Sequence, residues 1–219
     1  MPRTTDLRGR AAPGWGRRTA SVGSAITLAL FVPVSGPAQE LQVNPGAGNV
    51  VRFISHASIE EFEGITDRID GYVLLGSPAL GVETGGEGTE LYLEVDLGSL
   101  DTGIGLRNRH MRDNYLEVAK YPFASFKGRI ERTEAGPGQT FRVSARGALT
   151  IHGVERDRVL TCRVEPRGTG YRAQCGFEVL LSDHNIEIPK IMFLKLANEI
   201  QLELDFSLVR AGAPNGDDL

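Results

Sequence analysis

A short basic cluster is the first feature of this sequence that could do chemistry. Arg107, His110 and Arg112 lie within six residues of one another. Guanidinium groups form strong charge-assisted hydrogen bonds with oxygen acceptors, which suits them to the carbonyl, hydroxyl or phosphate end of a ligand. The pattern predicts that these three side chains bind such a polar end. A second interpretation stays open, in which they only pair with acidic groups and form a solvated helix face.

The cysteines and histidines indicate a structural role rather than catalysis. Cys162 and Cys175 are the only cysteines, and in an oxidising compartment such a pair persists as a disulfide. The four histidines show no metal-ligand spacing, and the motifs of nucleophilic or nucleotide-dependent enzymes are missing from the sequence. Asp183 and His184 are interpreted as a polar turn rather than as an acid–base pair. We therefore predict no metal, no cofactor and no enzyme, with an isomerase or hydrolase that uses His110 as the weaker alternative.

The first 38 residues have the order of a secretory signal peptide, which is positive, then apolar, then small. Arg17 and Arg18 precede an apolar run over residues 20–34, and Gly36 and Ala38 follow it. The run is shorter than the roughly 20 residues that span a bilayer. We expect cleavage after Ala38 and a periplasmic or secreted protein. Cleavage removes five arginines and one aspartate, so the formal net charge changes from −4 to −8, which disfavours nucleic acid as a partner.

The rest of the chain alternates apolar and polar residues with the period of two that is typical of half-buried strands. The alternation is clearest over residues 91–97, 141–151 and 199–209. Glycine-rich turns and short connections separate these segments, which favours an antiparallel arrangement. The pattern therefore predicts an all-β fold, an antiparallel barrel of about eight strands over residues 39–210. The tail at residues 211–219 is small, polar and acidic, and we expect it to be disordered.

One helix is expected to interrupt the strands and to act as a lid. The segment from Leu100 to Phe126 reads as about three helical turns that end before Pro122, where a new strand begins. Asp101 or Thr102 is the predicted N-cap.

Small residues on the inward side of the strands predict a hollow interior. If Gly153 and Val154 are the two loop residues of a hairpin, Ala145 lies opposite Cys162, and facing cysteines then place Val164 opposite Ala173. An eight-stranded barrel can hold one small ligand if its interior is not filled by side chains. The predicted ligand contacts inside the barrel are Phe141, Ala145, Gly147, Leu149, Phe177, Leu204 and Phe206.

Several of these motifs together resemble those of the YceI-like family of secreted bacterial proteins. They are LDTG at residues 100–103, the R-x-x-H-x-R core at 107–112, Tyr121-Pro122, and LTIHGV at 149–154. The resemblance covers residues 41–209 and implies a lipocalin-like barrel with an isoprenoid lipid ligand, such as a quinone side chain or a polyprenyl compound. One departure is the S-D-F-G-I stretch of the family, which reads Ser182-Asp183-His184-Asn185-Ile186 here.

The resulting hypothesis is a non-catalytic binding protein that transports or stores a long apolar lipid inside its barrel. The lipid is the predicted partner, a homodimer is kept open, and no delivery partner is named. The rival hypothesis is a stress-response or interaction module whose barrel is packed solid and holds no ligand.

Overall fold

The structure, a computed structural model, describes residues 38–56, 61–188, 190–191, 194–195 and 197–212. The predicted signal segment before Ala38 and nearly all of the predicted disordered tail lie outside the described residues. None of the helices in the described ranges is long and apolar enough to cross a membrane.

Strands account for most of the described chain, and their bounds follow the alternating segments of the sequence. In chain order they are β1 (Glu40–Val43), β2 (Val50–His56), β3 (Glu61–Thr66), β4 (Ile69–Leu74), β5 (Glu90–Asp96), β6 (Phe123–Ala135), β7 (Phe141–Ile151), β8 (Val154–Arg167), β9 (Gly170–Leu180), β10 (Lys190–Ile191), β11 (Leu194–Lys195) and β12 (Glu199–Arg210).

Eight antiparallel strands close into a barrel, as the sequence predicted. Their order is β1-β4-β5-β6-β7-β8-β9-β12, and β12 pairs with β1 to complete the circle. β2 continues along the same edge of β12 beyond β1, and β3 pairs with β2. Closure removes the free edges that an open sheet would expose.

Period-two alternation turns one face of every long strand toward the interior. On β12, Ile200, Phe206 and Leu208 are buried, and Leu202 and Leu204 on the same face are only partly buried. A side chain that points inward yet keeps accessible surface borders open volume rather than a packed neighbour. The core is therefore a wall around a space, and the packing is not solid.

The lid helix is present but differs in detail from the prediction. Helix α1 spans Gly105–His110, and a π-helical turn continues it over Met111–Tyr115. The predicted N-cap is wrong, because Ile104 occupies that position and no side chain caps the helix. Gly103, at φ 77°, turns the chain away first. Asp101 and Thr102 instead hydrogen-bond to the side chain of Asn108.

The predicted register of the β7–β8 hairpin is wrong, because the two loop residues lie one position earlier in the chain than predicted. His152 and Gly153 are the loop residues, at φ 53° and 69°, and Ile151 pairs with Val154. A two-residue turn with both φ values positive has the twist that hairpin strands require. Ala145 therefore lies opposite Leu160, not opposite Cys162. The β8–β9 register is confirmed, with Cys162 opposite Cys175 and Val164 opposite Ala173.

Gly147 has a different role from the open space predicted for it. It pairs with Gly128 on β6, and a Cβ added at Gly147 would lie 2.6 Å from the Gly128 Cα and collide with the Lys127 carbonyl. The missing side chain lets two backbones approach closely, which is what paired glycines allow in a strongly curved sheet. Gly147 is therefore a packing residue of the wall.

The barrel has two distinct ends. The closed end is covered by the loop over residues 75–89, whose Leu75 and Leu80 join the apolar core. The backbone N–H of Leu80 donates a hydrogen bond of 3.1 Å to the Tyr171 hydroxyl. The lid end carries α1, the β7–β8 turn and the short 3-10 turn Leu181–His184 that follows β9.

Candidate ligand-binding cavity

The barrel encloses a cavity of about 540 Å³, which runs from the closed end to the lid end. Ligand sites of small-molecule binding proteins measure about 300–1,000 Å³. Aliphatic and aromatic side chains form nearly all of its wall. Of the predicted contacts, the cavity is lined by Ala145, Leu149, Phe177, Leu204 and Phe206.

Two predicted interior contacts do not line the cavity. Phe141 is only partly buried and packs against the apolar core near the closed end of β7. Gly147 faces inward, but the backbone of β6 occupies the space next to it. The part of the cavity wall that β7 supplies therefore consists of Val143, Ala145, Leu149 and Ile151.

The lid helix and the residues before it form the cavity mouth. Ile104 and Leu106 line the cavity while 50% and 61% of their surfaces are exposed. Apolar side chains that reach both the interior and the surface mark a place where the interior opens. Met111 and Tyr115 line the same end from the next turn of the helix.

The structure separates the three residues of the basic cluster. Arg107 lines the cavity, lies 4.9 Å above the Phe62 ring, and donates hydrogen bonds to the Thr102 hydroxyl and carbonyl, each 3.0 Å long. His110 lines the cavity from the last turn of α1 and is exposed. Arg112 is not a lining residue, and its guanidinium donates to the Leu100 carbonyl at 2.6 Å. The cluster therefore combines two residues at the mouth with one that anchors the lid.

Sequence reasoning missed two fully buried polar residues of the cavity wall. Ser55 and His184 line the cavity and are 1% and 0% exposed. Ser55 occupies an inward position of β2, after Val51 and Phe53, so a hydroxyl in an otherwise apolar alternation was the available signal. For His184 the signal was the departure from the S-D-F-G-I pattern.

Burial governs the electrostatics of His184. Removal from water is the largest influence on the ring, and it lowers the pKa of His184 below the ordinary value of 6.5. The neighbouring Arg156 and Arg158 lower the pKa further, whereas the hydrogen bond to the Val154 carbonyl and the charge of Asp183 oppose the shift. The interpretation of Asp183 and His184 as a turn is consistent with the fold, since they end the 3-10 turn after β9.

The predicted disulfide is confirmed. Cys162 and Cys175 are bonded, with a Cα–Cα distance of 4.3 Å. The bond lies within the cavity wall and joins directly opposed residues of β8 and β9. It closes a loop that contains the whole tip of the β8–β9 hairpin at the closed end.

Within the described ranges, no group of three or more histidine, cysteine or acidic side chains is arranged to hold a metal ion. His110 makes no hydrogen bond or ion pair with a carboxylate in that same part of the chain, so an orienting partner of the kind that a catalytic histidine uses is not seen there.

Comparisons with known proteins agree with this architecture. The family model of the YceI-like domain matches residues 41–208. No curated protein sequence matches the chain. Among solved structures, BcnA of Burkholderia cenocepacia has a TM-score of 0.61 at 18% identity, over 75% of this chain and 98% of its own.

Two further solved structures have the same fold. A domain from Saccharophagus degradans, described as polyisoprenoid-binding and implicated in plant cell wall breakdown, has a TM-score of 0.60 at 17% identity, over 80% of this chain and 99% of its own. The YceI protein of Campylobacter jejuni has a TM-score of 0.52 at 17% identity, over 72% of this chain and 90% of its own. At these identities the likeness establishes the fold alone.

Proposed function

The chain belongs to the YceI-like family, and from that premise we propose that it is an exported, non-catalytic binding protein that holds a long apolar lipid of the isoprenoid class inside its barrel. Transport or storage of that lipid through an aqueous compartment is the proposed role. The lipid is the proposed partner, with no resident cofactor or metal.

The observation that carries this proposal is the cavity of about 540 Å³ with its apolar wall. Transfer of a lipid chain from water into an apolar interior is favourable by about 0.8 kcal/mol for each buried methylene. A barrel packed solid, as the rival interaction module requires, would leave no such volume. The description of the Saccharophagus degradans domain as polyisoprenoid-binding supports the choice of lipid class.

Export is the second part of the proposal. The positive, apolar and small segments before Gln39 support a cleaved signal, and the disulfide supports an oxidising compartment. Cleavage after Ala38 removes 38 of the 219 residues and leaves 181. The intact mass of protein from the periplasmic fraction tests this, and a mature N-terminus upstream of Ala20 would contradict it.

The lipid is tested by expressing the full chain in a bacterial host, purifying it without denaturant, and analysing an organic extract by mass spectrometry. The decisive variant is Ala145→Phe, because Ala145 lies on the cavity wall. Its matched control is Ala148→Phe, on the opposite face of the same strand and pointing away from the cavity.

We expect an isoprenoid-type lipid with the unmodified protein and with Ala148→Phe, and little or none with Ala145→Phe. Both variants should stay folded, since the added ring of Ala145→Phe occupies space that the ligand needs. Overpacking a solid core instead costs about 1–3 kcal/mol. A large loss of stability in Ala145→Phe, with no lipid from the unmodified protein, would favour the interaction module.

A further inference from the structure

Tyr171 lies at the closed end of the cavity. It is the first residue of β9 that lines the cavity, and Ala173, Cys175, Phe177 and Val179 follow it on the same face. Tyr171 and Val179 are eight positions apart on β9, which corresponds to roughly 20 Å along the barrel axis at about 3.3 Å per residue and a strand tilt of about 40°. This row of side chains therefore extends from the closed end to the lid end.

A second, smaller pocket adjoins the cavity at Tyr171. It has a volume of about 280 Å³, and Tyr171 and Leu208 line both spaces. The Arg172 guanidinium, in the wall of the smaller pocket, donates hydrogen bonds of 3.2 and 2.9 Å to the Ala47 and Gly48 carbonyls. The rest of the lining of this pocket is largely polar and consists of Asn44, Ala47, Arg167, Ser207 and Val209. Tyr171 and Leu208 therefore form the floor of the apolar cavity.

The ring of Tyr171 is held by the loop that covers the closed end. The Leu80 N–H donates a hydrogen bond of 3.1 Å to the Tyr171 hydroxyl, and the Leu80 side chain is buried. The loop is in turn fixed to β6, because the Gly86 N–H and the Thr89 hydroxyl both donate to the Ile130 carbonyl, at 2.8 and 3.2 Å. The ring cannot move aside without losing its hydrogen bond to this loop.

The mouth suits the polar end of a lipid better than the floor does. Arg107 and His110 line the cavity at the lid end, whereas burial of an unpaired polar group among apolar walls costs free energy. The chain of a bound lipid then points toward the closed end. We propose that Tyr171 sets the longest isoprenoid chain that the barrel can bury, because the tip of the chain stops against its ring. This inference rests on the proposed function and adds the chain-length specificity of its ligand.

The test is a competition among linear prenyl alcohols, from geraniol to solanesol, that differ only in their number of isoprene units. The protein, expressed from the full chain and purified, is incubated with two alcohols of neighbouring length at equal concentration, and native mass spectrometry measures the ratio of the two complexes. The decisive variant is Tyr171→Ala, which vacates a volume similar to that of an isoprene unit. The matched control is Tyr72→Ala, since Tyr72 lies on β4 outside the cavity, where it donates a hydrogen bond of 2.6 Å to Glu90.

We expect each added isoprene unit to raise the affinity of the unmodified protein at least about tenfold until the chain reaches the floor, because every buried methylene favours binding. Longer alcohols should bind no more tightly. Tyr72→Ala should have the same length limit. Tyr171→Ala should prefer the first alcohol beyond that limit by at least about tenfold over the one before it. Tyr171→Leu should shift the preference in the same direction by less, and it keeps the test decisive if Tyr171→Ala does not fold.

Three outcomes would overturn the inference while the proposed lipid carrier stands. An unchanged limit in Tyr171→Ala, or in Tyr171→Leu where Tyr171→Ala does not fold, would show that the tip of the chain does not reach the floor. The absence of any limit in the unmodified protein would show that longer chains leave through the mouth. An equal shift in Tyr72→Ala would show a general loosening of the wall. Binding of no prenyl alcohol at all would instead refute the lipid carrier and the length limit together.

Discussion

The two ends of the barrel differ in the burial of their apolar side chains and in the hydrogen bonding of their polar groups. At the closed end, Leu41, Leu75 and Leu80 are buried in the core, and the Tyr171 hydroxyl that lines the cavity there has its hydrogen bond from Leu80. At the lid end, the apolar Leu106 is exposed, and His184 keeps a buried acceptor unpaired within the described residues.

From this difference we expect the closed end to stabilise the fold and the lid end to bind the ligand. Buried apolar surface and satisfied hydrogen bonds stabilise a fold, so the closed end should hold most of the stability. Exposed apolar groups and unpaired polar atoms reduce stability, and they are retained where a binding site uses them. Mutations at the closed end should therefore mainly lower the free energy of unfolding, and mutations of the side chains that line the cavity at the lid end should mainly change ligand binding.

The largest expected contrast is between two leucines. Leu41→Ala removes a side chain that is 1% exposed and should lower the free energy of unfolding by about 2–5 kcal/mol. Leu106→Ala truncates a side chain that is 61% exposed and should change it by no more than about 0.5 kcal/mol. Denaturant titration of both variants measures the contrast. Equal losses would show that the lid end contributes to stability as the closed end does.

The disulfide is expected to have the next largest effect. Cys162 and Cys175 are 13 residues apart in sequence, and a loop of about that length contributes roughly 3 kcal/mol at most by restricting the unfolded chain. The double variant Cys162→Ala/Cys175→Ala should lose stability by up to that amount. The cross-link restrains only the hairpin at the closed end. We therefore expect the double variant to retain the bound lipid. Loss of the lipid without loss of stability would contradict this division of tasks.

The sequence predicted the barrel because long strands carry their inward positions in plain alternation. The inward set of β12 followed from parity, and the pairing of Cys162 with Cys175 followed from their being the only two cysteines of a chain expected in an oxidising compartment. The observed partner of Ala145 on β8 lies two residues away from the predicted one, and a displacement of two residues keeps every side chain on the same face of its strand. The β7–β8 register could therefore be wrong while Ala145 still faced the cavity. The error came from His152, whose left-handed conformation is uncommon for a residue other than glycine.

The site was less predictable because its decisive features are relations between distant residues. Gly147 reads as open space until Gly128 is seen opposite it. The side chain of Arg112 reads as a ligand contact until the Leu100 carbonyl is seen beneath it. His184 reads as an exposed turn residue until its ring is seen to be fully buried, with Nδ1 against the Val154 carbonyl.

A smaller effect should separate the arginines of the lid. Arg112→Gln removes a charge-assisted hydrogen bond to the Leu100 carbonyl and should lower the free energy of unfolding by about 1 kcal/mol while the lipid is retained. Arg109→Gln is the control, because Arg109 is exposed on α1 and its loss should change stability by less than about 0.5 kcal/mol. Thermal melting and lipid extraction are measured on both. Lipid loss with unchanged melting in Arg112→Gln would instead make Arg112 a ligand contact, as first predicted from the sequence.

The smallest expected effect is the pH dependence that His184, at the lid end, contributes to the free energy of unfolding. In the unfolded chain the His184 ring takes up a proton as the pH falls through about 6.5, whereas burial lowers the pKa of the folded ring below that value. Between the two pKa values the unfolded state binds more protons, so the folded state loses stability as the pH falls below about 6.5. His184→Phe has no such group and should lose less stability between about pH 8 and about pH 5. The hydrogen bond that the His56 ring donates to the Glu61 carboxylate raises the pKa of His56, which acts in the opposite direction, but His56 is present in both proteins and its effect cancels in the difference. Parallel losses in the two proteins would mean that burial does not hold the ring of His184 neutral in the folded protein.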